Sequence, residues 1–189
     1  MDSVRELLAA GTLVLKIKVG HPGDQAEMLA KDQAWLTQLH EIARRYETPM
    51  TDCGHPVYYL DANGRYATKD GMRRLLDHAE KLGMLDRVIL VEEPFEEALD
   101  IDVSDLPARF AADESLHAPA DVAVRAEEGY AAMAIKPAGK TLSMAFRMIE
   151  ATVGAGAIPF VADNACVPCP PGTTRGWRRT PSCPHADDR

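Results

Sequence analysis

The chain has 189 residues, enough for one ordinary domain and short of the roughly 250 that a complete (β/α)8 barrel takes. Hydrophobic residues make up 46%, charged residues 26% and aromatics 6%, the balance of a folded protein with an Ala, Leu and Val core and not of a disordered or fibrous chain. Twenty-one Lys and Arg against 29 Asp and Glu give a formal net charge of -8; this argues against a phosphate-backbone binder, which needs a cationic face, so no nucleic-acid partner is expected.

Residues 13–19 (LVLKIKV) alternate, with Leu15, Ile17 and Val19 on one face and Val14, Lys16 and Lys18 on the other. This predicts a strand whose polar face carries two lysines. After the turn signal Gly20-His21-Pro22-Gly23, apolar residues recur at helical spacing from Met28 through Leu36 and Leu39 to Ala43, so a long helix follows. A short apolar run from Val57 to Asp61 and a helical pattern through Met72, Leu75, Leu76, Ala79 and Leu82, closed by Gly83, repeat the strand-helix unit. Val88 to Glu92 predicts a third strand, followed by an irregular stretch from Pro94 to Leu106 with only a weak helical pattern, and Phe110 to Asp113 a fourth. Residues 119–129 read as a helix, Met133 to Lys136 as a strand, Leu142 to Val153 as a helix, and Ile158 to Val161 as a sixth strand. Strands alternating with helices imply parallel βαβ crossovers, hence an α/β sheet or barrel.

Residues 168–189 (PCPPGTTRGWRRTPSCPHADDR) have no apolar period and carry four Arg against two Asp; a disordered, locally basic tail is expected after a domain of residues 1–167. Nothing at the N-terminus pairs basic residues with an apolar run, and no segment nears the roughly 18 apolar residues of a membrane span. A cytoplasmic protein without a membrane partner is therefore expected. In that compartment Cys53, Cys166, Cys169 and Cys183 read as free thiols. Cys166 and Cys169 with Cys183 and His185 form a minor zinc alternative, weakened by the tight Cys-x-His spacing.

The chemistry lies at the strand ends: Lys16-Ile17-Lys18, Asp61-Ala62-Asn63, Glu92-Glu93-Pro94, Asp113-Glu114-Ser115, Ile135-Lys136-Pro137 and Ala162-Asp163-Asn164. In a parallel sheet all of these ends lie on one side, where a barrel holds its site. Asp61, Glu92 and Asp113 come from three consecutive strands, so their carboxylates would stand about 5 Å apart and repel unless paired. A hard divalent cation resolves the repulsion, with open positions for water and an oxyanionic substrate. Acids at strand ends that merely cap helices are the plainer alternative; three in sequence between lysine-bearing strands favour the metal. The like charge of Lys16 is expected to lower the pKa of Lys18 toward that of a general base, and Lys136 can act from the opposite side. Alternation does not separate Glu92 from Glu93 as the ligand, because both faces of that strand are apolar.

The order Lys-x-Lys, Asp-x-Asn, Glu-Glu-Pro, Asp-Glu-Ser and Ile-Lys-x-x-x-Lys resembles the barrel domain of the enolase superfamily, in particular the mandelate racemase and muconate lactonizing enzyme branch that includes dipeptide epimerases. The resemblance covers about residues 12–165. It implies a partial (β/α)8 TIM-type barrel of strands two to seven, without the N-terminal capping domain, strand one or strand eight. It further implies Mg2+ bound by Asp61, Glu92 and Asp113, the first Glu of the pair being favoured, with Lys18 as base on one face and Lys136 as its counterpart. Asn63, Glu114 and Lys140 would be supporting or electrostatic partners, and Asp163 would line the pocket from the next strand end. The implied activity is abstraction of the proton α to a carboxylate through an enediolate, run as racemisation or epimerisation of an amino-acid or dipeptide derivative. Cycloisomerisation, dehydration and a non-catalytic remnant or interaction module are the alternatives. The implied partner is a small-molecule carboxylate, and an incomplete barrel leaves sheet edges that another chain, as in a homo-oligomer, or a rearranged closure would cover.

Overall fold

The periodic segments become six strands and five α-helices in a computed structural model that describes residues 1–137 and 139–161. In chain order these are α1 (Asp2–Ala9), β1 (Val14–Lys18), α2 (Gln25–Ala43), β2 (Val57–Asp61), α3 (Lys69–Lys81), β3 (Val88–Glu92), β4 (Phe110–Ala112), α4 (Pro119–Glu127), β5 (Ala132–Ile135), α5 (Leu142–Gly154) and β6 (Ile158–Val161). Local chemistry sets the helix starts. Asp24 accepts from the amides of Ala26 and Glu27, Thr68 from Gly71 and Thr141 from Met144, each satisfying an orphan donor of the first turn.

All strands are parallel, in the order β1-β2-β3-β4-β5-β6. The fold is a curled half-barrel, the partial TIM-type barrel expected. Its convex face carries Ile17, Leu60, Val91, Phe110, Met133 and Ile135, all buried against Met28, Leu36 and Leu39 of α2, Met72, Leu75 and Leu76 of α3, and Met148 of α5. The curl is visible in one contact. The rings of Tyr59 on β2 and Phe160 on β6 meet edge-to-face at 6.1 Å although three strands lie between them. The small side chains of Ala111 and Ala132 on the intervening concave face leave room for this approach.

One segment differs from the sequence reading. The helix α1 was not expected there, although Val4, Leu7 and Leu8 have helical spacing and Gly11 follows as a stop. The stretch between β3 and β4 is irregular, as expected: Pro94 and Pro107 bracket turns, the Asp102 carboxylate accepts the Ser104 amide at 2.8 Å, and Arg125 of α4 donates to the Glu97 carbonyl at 2.9 Å. Among the described residues β1 and β6 are the sheet edges, and no helix is long and apolar enough to cross a membrane.

Candidate active site

Register places the ionic residues. Lys18 pairs with Asp61 and Asp61 with Glu92, so three consecutive strands present these side chains at one level of the concave face. Glu92 aligns with Ala111, which puts Asp113 two residues further along β4, and Ala111 aligns with Ala132, which puts Lys136 four residues beyond that level on β5. This stagger accompanies strand tilt in a barrel. Asp61, Glu92 and Asp113 are all at most 5% exposed. Lys16 bridges Asp61 at 2.9 Å and Glu92 at 2.7 Å, Lys18 also pairs with Asp61, and Lys136 pairs with Asp113 at 2.5 Å. Asn63 joins the group by accepting from Lys18 at 2.7 Å and donating to Glu114 at 2.9 Å. The structure thus brings together Lys16, Lys18, Asp61, Asn63, Glu92, Asp113, Glu114 and Lys136. Lys140 is half-buried beside the cap of α5 and makes no ion pair among the described residues. Asp163, the Cys166, Cys169, Cys183 and His185 set and the 168–189 tail lie outside the described residues.

Lys16 and Lys18 do not stand as a bare lysine pair, because Asp61 takes both ammonium groups. Burial alone would lower Lys16, yet its bonds to Glu92 and Asp61 outweigh that and raise it above the ordinary lysine value. Lys136 moves the same way: burial lowers it and Asp113 more than compensates. Burial would raise Asp61, but Lys18 and Lys16 hold it below the usual carboxylate range. Glu92 moves in the opposite direction from Asp61. Burial, reinforced by the neighbouring Asp113, pushes it up to about 8 despite Lys16.

The two glutamates that alternation leaves equivalent are separated by their partners. Glu92 faces Lys16 and the acid cluster, whereas Glu93 turns away and accepts the Asp113 amide at 2.6 Å. Three further residues escape the sequence reading. Tyr59 lies under Lys16, whose Nζ is 4.9 Å from the ring centroid. Asp32, fully buried in α2, accepts from the Gly20 amide at 2.8 Å, the His21 amide at 3.2 Å and the Tyr66 hydroxyl at 2.6 Å, and its carboxylate is 2.5 Å from His21 Nδ1. It ties the loop after Lys18 to the loop after Asp61. Gly20 is required there, since it has φ of 83° and a Cβ would sit 2.6 Å from that of Arg65. Asp32 falls at helical spacing between Met28, Leu29 and Leu36, and a charge on that apolar face was its one sequence signal.

Solved structures share this arrangement of strands and helices. A mandelate racemase/muconate lactonizing protein from Herpetosiphon aurantiacus matches with a TM-score of 0.68 at 22% identity, over 85% of this chain and 42% of that one. A Sorangium cellulosum protein named for the same two enzymes matches with a TM-score of 0.68 at 28% identity, over 85% of this chain and 41% of that one. This chain has the mandelate racemase/muconate lactonizing enzyme fold. Muconate lactonizing enzyme from Pseudomonas putida has the same fold at 17% identity, with a TM-score of 0.65 over 86% of this chain and 42% of its own. The chain therefore spans about two fifths of the length of the structures it matches. Neither a protein-family model nor a curated protein matches the sequence.

Whether this version of the fold suits a divalent cation is decided by its donor set. Among the described residues no three acidic, thiol or imidazole side chains stand ready-made as a metal cage. The donor chemistry fits: three buried carboxylates stand at the ends of adjacent strands, and Glu92 Oε1 and Asp113 Oδ1 are buried without a hydrogen-bond partner. Buried unpartnered carboxylate oxygens are costly and are the hard ligands that Mg2+ takes. The ammonium of Lys16 now lies between Asp61 and Glu92. Those two carboxylates would have to exchange part of that ion pair for a bound cation.

Proposed function

We propose that this chain carries a site for cation-assisted removal of the proton α to a carboxylate, used to racemise or epimerise an amino-acid or dipeptide derivative. The observation that carries the reading is the placement of lysines on both flanks of one acid cluster: Lys16 and Lys18 from β1, and Lys136 from the end of β5. A hard divalent cation such as Mg2+, bound by Asp61, Glu92 and Asp113, supplies Lewis acidity toward the substrate carboxylate. The chain's own groups do the rest. Lys18 removes the α-proton on one face, Lys136 returns a proton on the other, and the roles reverse for the opposite enantiomer. The lysine acting as base must be uncharged while its counterpart stays protonated, so the base has to leave its carboxylate partner as substrate enters. Lys16 balances the charge of the acid cluster, and Asn63 orients Lys18 and Glu114. Similar solved structures with mandelate racemase and muconate lactonizing enzyme names support a carboxylate substrate of this class.

The test is α-proton exchange in deuterated water, with single enantiomers of dipeptides and N-acyl amino acids, in Mg2+ and in EDTA. Exchange should require the cation, and Lys18→Ala and Lys136→Ala should each abolish racemisation while sparing exchange of a different enantiomer. Racemisation that persists in either variant would rule out the two-base reading.

A second reading has its own support. The concave face of β1 and β6 leaves Val14 44% and Ile158 53% exposed, and the chain spans only 41–42% of the Herpetosiphon aurantiacus and Sorangium cellulosum structures. A non-catalytic module that keeps the acid cluster and docks a completing chain would show Mg2+ binding by calorimetry without exchange of any substrate.

A further inference from the structure

Two of the described non-glycine residues have positive φ, Asn63 at 45° and Glu93 at 36°. They follow Asp61 and Glu92 on adjacent strands. A side chain in this region strains the backbone, and such residues persist where surrounding contacts over-determine them. The contacts at Glu93 are numerous. Its amide donates to the Ala111 carbonyl at 2.9 Å, and its carbonyl accepts the Gly64 amide at 2.7 Å. Its carboxylate, 3% exposed, accepts the Asp113 amide at 2.6 Å and the Ser115 hydroxyl at 3.1 Å. Gly64 itself has φ of 69°, and a Cβ there would stand 3.1 Å from the Phe95 carbonyl, so the close approach of the two loops favours glycine.

An extended residue after Glu92 would continue β3. The left-handed backbone instead turns the chain at once and brings the Glu93 carboxylate to the end of β4. We infer that Glu93 is a positioning residue, whose left-handed backbone and buried carboxylate fix the ends of β2 and β4 so that Asp113 converges with Asp61 and Glu92. The amide that Glu93 holds belongs to Asp113, so the bond restrains the backbone from which the Asp113 carboxylate projects toward Lys136. What Asp113 does once positioned rests on the function proposed above; that Glu93 positions it does not.

Three variants separate the parts of this device. Glu93→Gln keeps an acceptor oxygen, Glu93→Ala removes it, and Glu93→Gly removes it while relieving the backbone strain. Residue-specific amide hydrogen exchange by NMR reads the effect, with Leu75 and Leu76 of α3 as internal standards for the core. Asp113 exchange should accelerate about tenfold or more in the Ala and Gly variants with the α3 amides unchanged, and Gln should stay within about threefold of the parent. Mn2+ affinity by electron paramagnetic resonance should follow the same order, with Gln retaining it and Ala and Gly losing about fivefold or more. Unchanged Asp113 exchange in Glu93→Ala, or equal acceleration at α3, would overturn the inference. If the parent binds no Mn2+ while Asp113 exchange responds as stated, the cation reading fails and the positioning role stands. If Glu93→Ala does not fold, Ser115→Ala serves in its place. Loss of that single donor should loosen Asp113 by about twofold to fivefold, and no change there would overturn the inference.

Discussion

The two faces of the sheet obey different physics. On the convex face Ile17, Leu60, Val91, Met133 and Ile135 pack against α2, α3 and α5, and apolar burial supplies their stability with no dependence on ionic conditions. On the concave face the same strands present Lys16, Lys18, Tyr59, Asp61 and Glu92, where charges are packed closely enough that one acid is depressed and its neighbour pushed up to about 8. A fold can tolerate such frustration because the opposite face fixes the register. The convex layer therefore defines the scaffold, and the concave layer is free to keep a charge distribution that destabilises the protein and suits a ligand.

The largest separation of the two faces is expected from Lys16→Met. Removing the ammonium that bridges Asp61 and Glu92 leaves a buried carboxylate unpaired, a change that typically costs about 3–5 kcal/mol. Urea denaturation at pH 9, where Glu92 carries its charge, should show this loss in EDTA. Millimolar Mg2+ should recover part of it, because cation and ammonium compete for the same oxygens. Equal losses with and without Mg2+ would sink that competition.

On the other face Leu36→Ala should behave differently in kind. Leu36 is fully buried in the helix layer, and truncation there should cost about 2–5 kcal/mol from lost burial and the cavity left behind. The loss should be the same at pH 5 and pH 9 and the same in Mg2+ and EDTA. A Leu36→Ala penalty that varied with the cation would mean that the helix layer and the acid cluster are coupled through the sheet, and the division drawn between the faces would fail.

This division also explains what the sequence made legible. The alternation at Leu15, Ile17 and Val19 and the helical spacing at Met28, Leu36 and Leu39 are one-dimensional traces of convex packing, and the strand-end acids stand out because a charge interrupts an apolar run. What Lys16 does was not legible, since its pKa is set by Asp61 and Glu92, which are 45 and 76 residues away in the chain. Glu92 and Glu93 could not be told apart because a positive φ at the second one, and not a period of two, decides where it points. The irregular stretch between β3 and β4 was legible as a weak period, whereas the side-chain bonds of Arg125 and Asp102 that hold it were not. Asp32 and Tyr66 stayed hidden for a similar reason, as a buried polar network is recognisable only after the loops it joins are folded together.

The smallest of the expected effects is also the most diagnostic, a pH slope that belongs to Glu92. Its carboxyl is raised in the folded protein from an ordinary value of 4.5 to about 8, first by burial and then by the adjacent Asp113. Below pH 4.5 both folded and unfolded chains hold the proton, and Glu92 contributes no slope. Between the two values the folded protein binds more protons than the unfolded one, so stability must fall as the pH rises, and above about 8 the slope vanishes. The opposing trends fall elsewhere or differ in sign. Asp61, depressed in the fold, stabilises above its unfolded value and loses that contribution only on acidification below about 4, and His40, lowered by burial, makes stability rise with pH on the acid side of 6.5. Subtracting the curve of Glu92→Gln from that of the parent removes both. In EDTA the difference should be near zero at pH 4.5 and should grow to on the order of 3 kcal/mol in favour of the variant by pH 9. Mg2+ should flatten it, because a cation stabilises the charged carboxylate that burial disfavours. Parallel urea-midpoint curves for parent and variant across this range would mean that Glu92 keeps an ordinary carboxylate pKa, and the electrostatic account of the concave face would have to be abandoned.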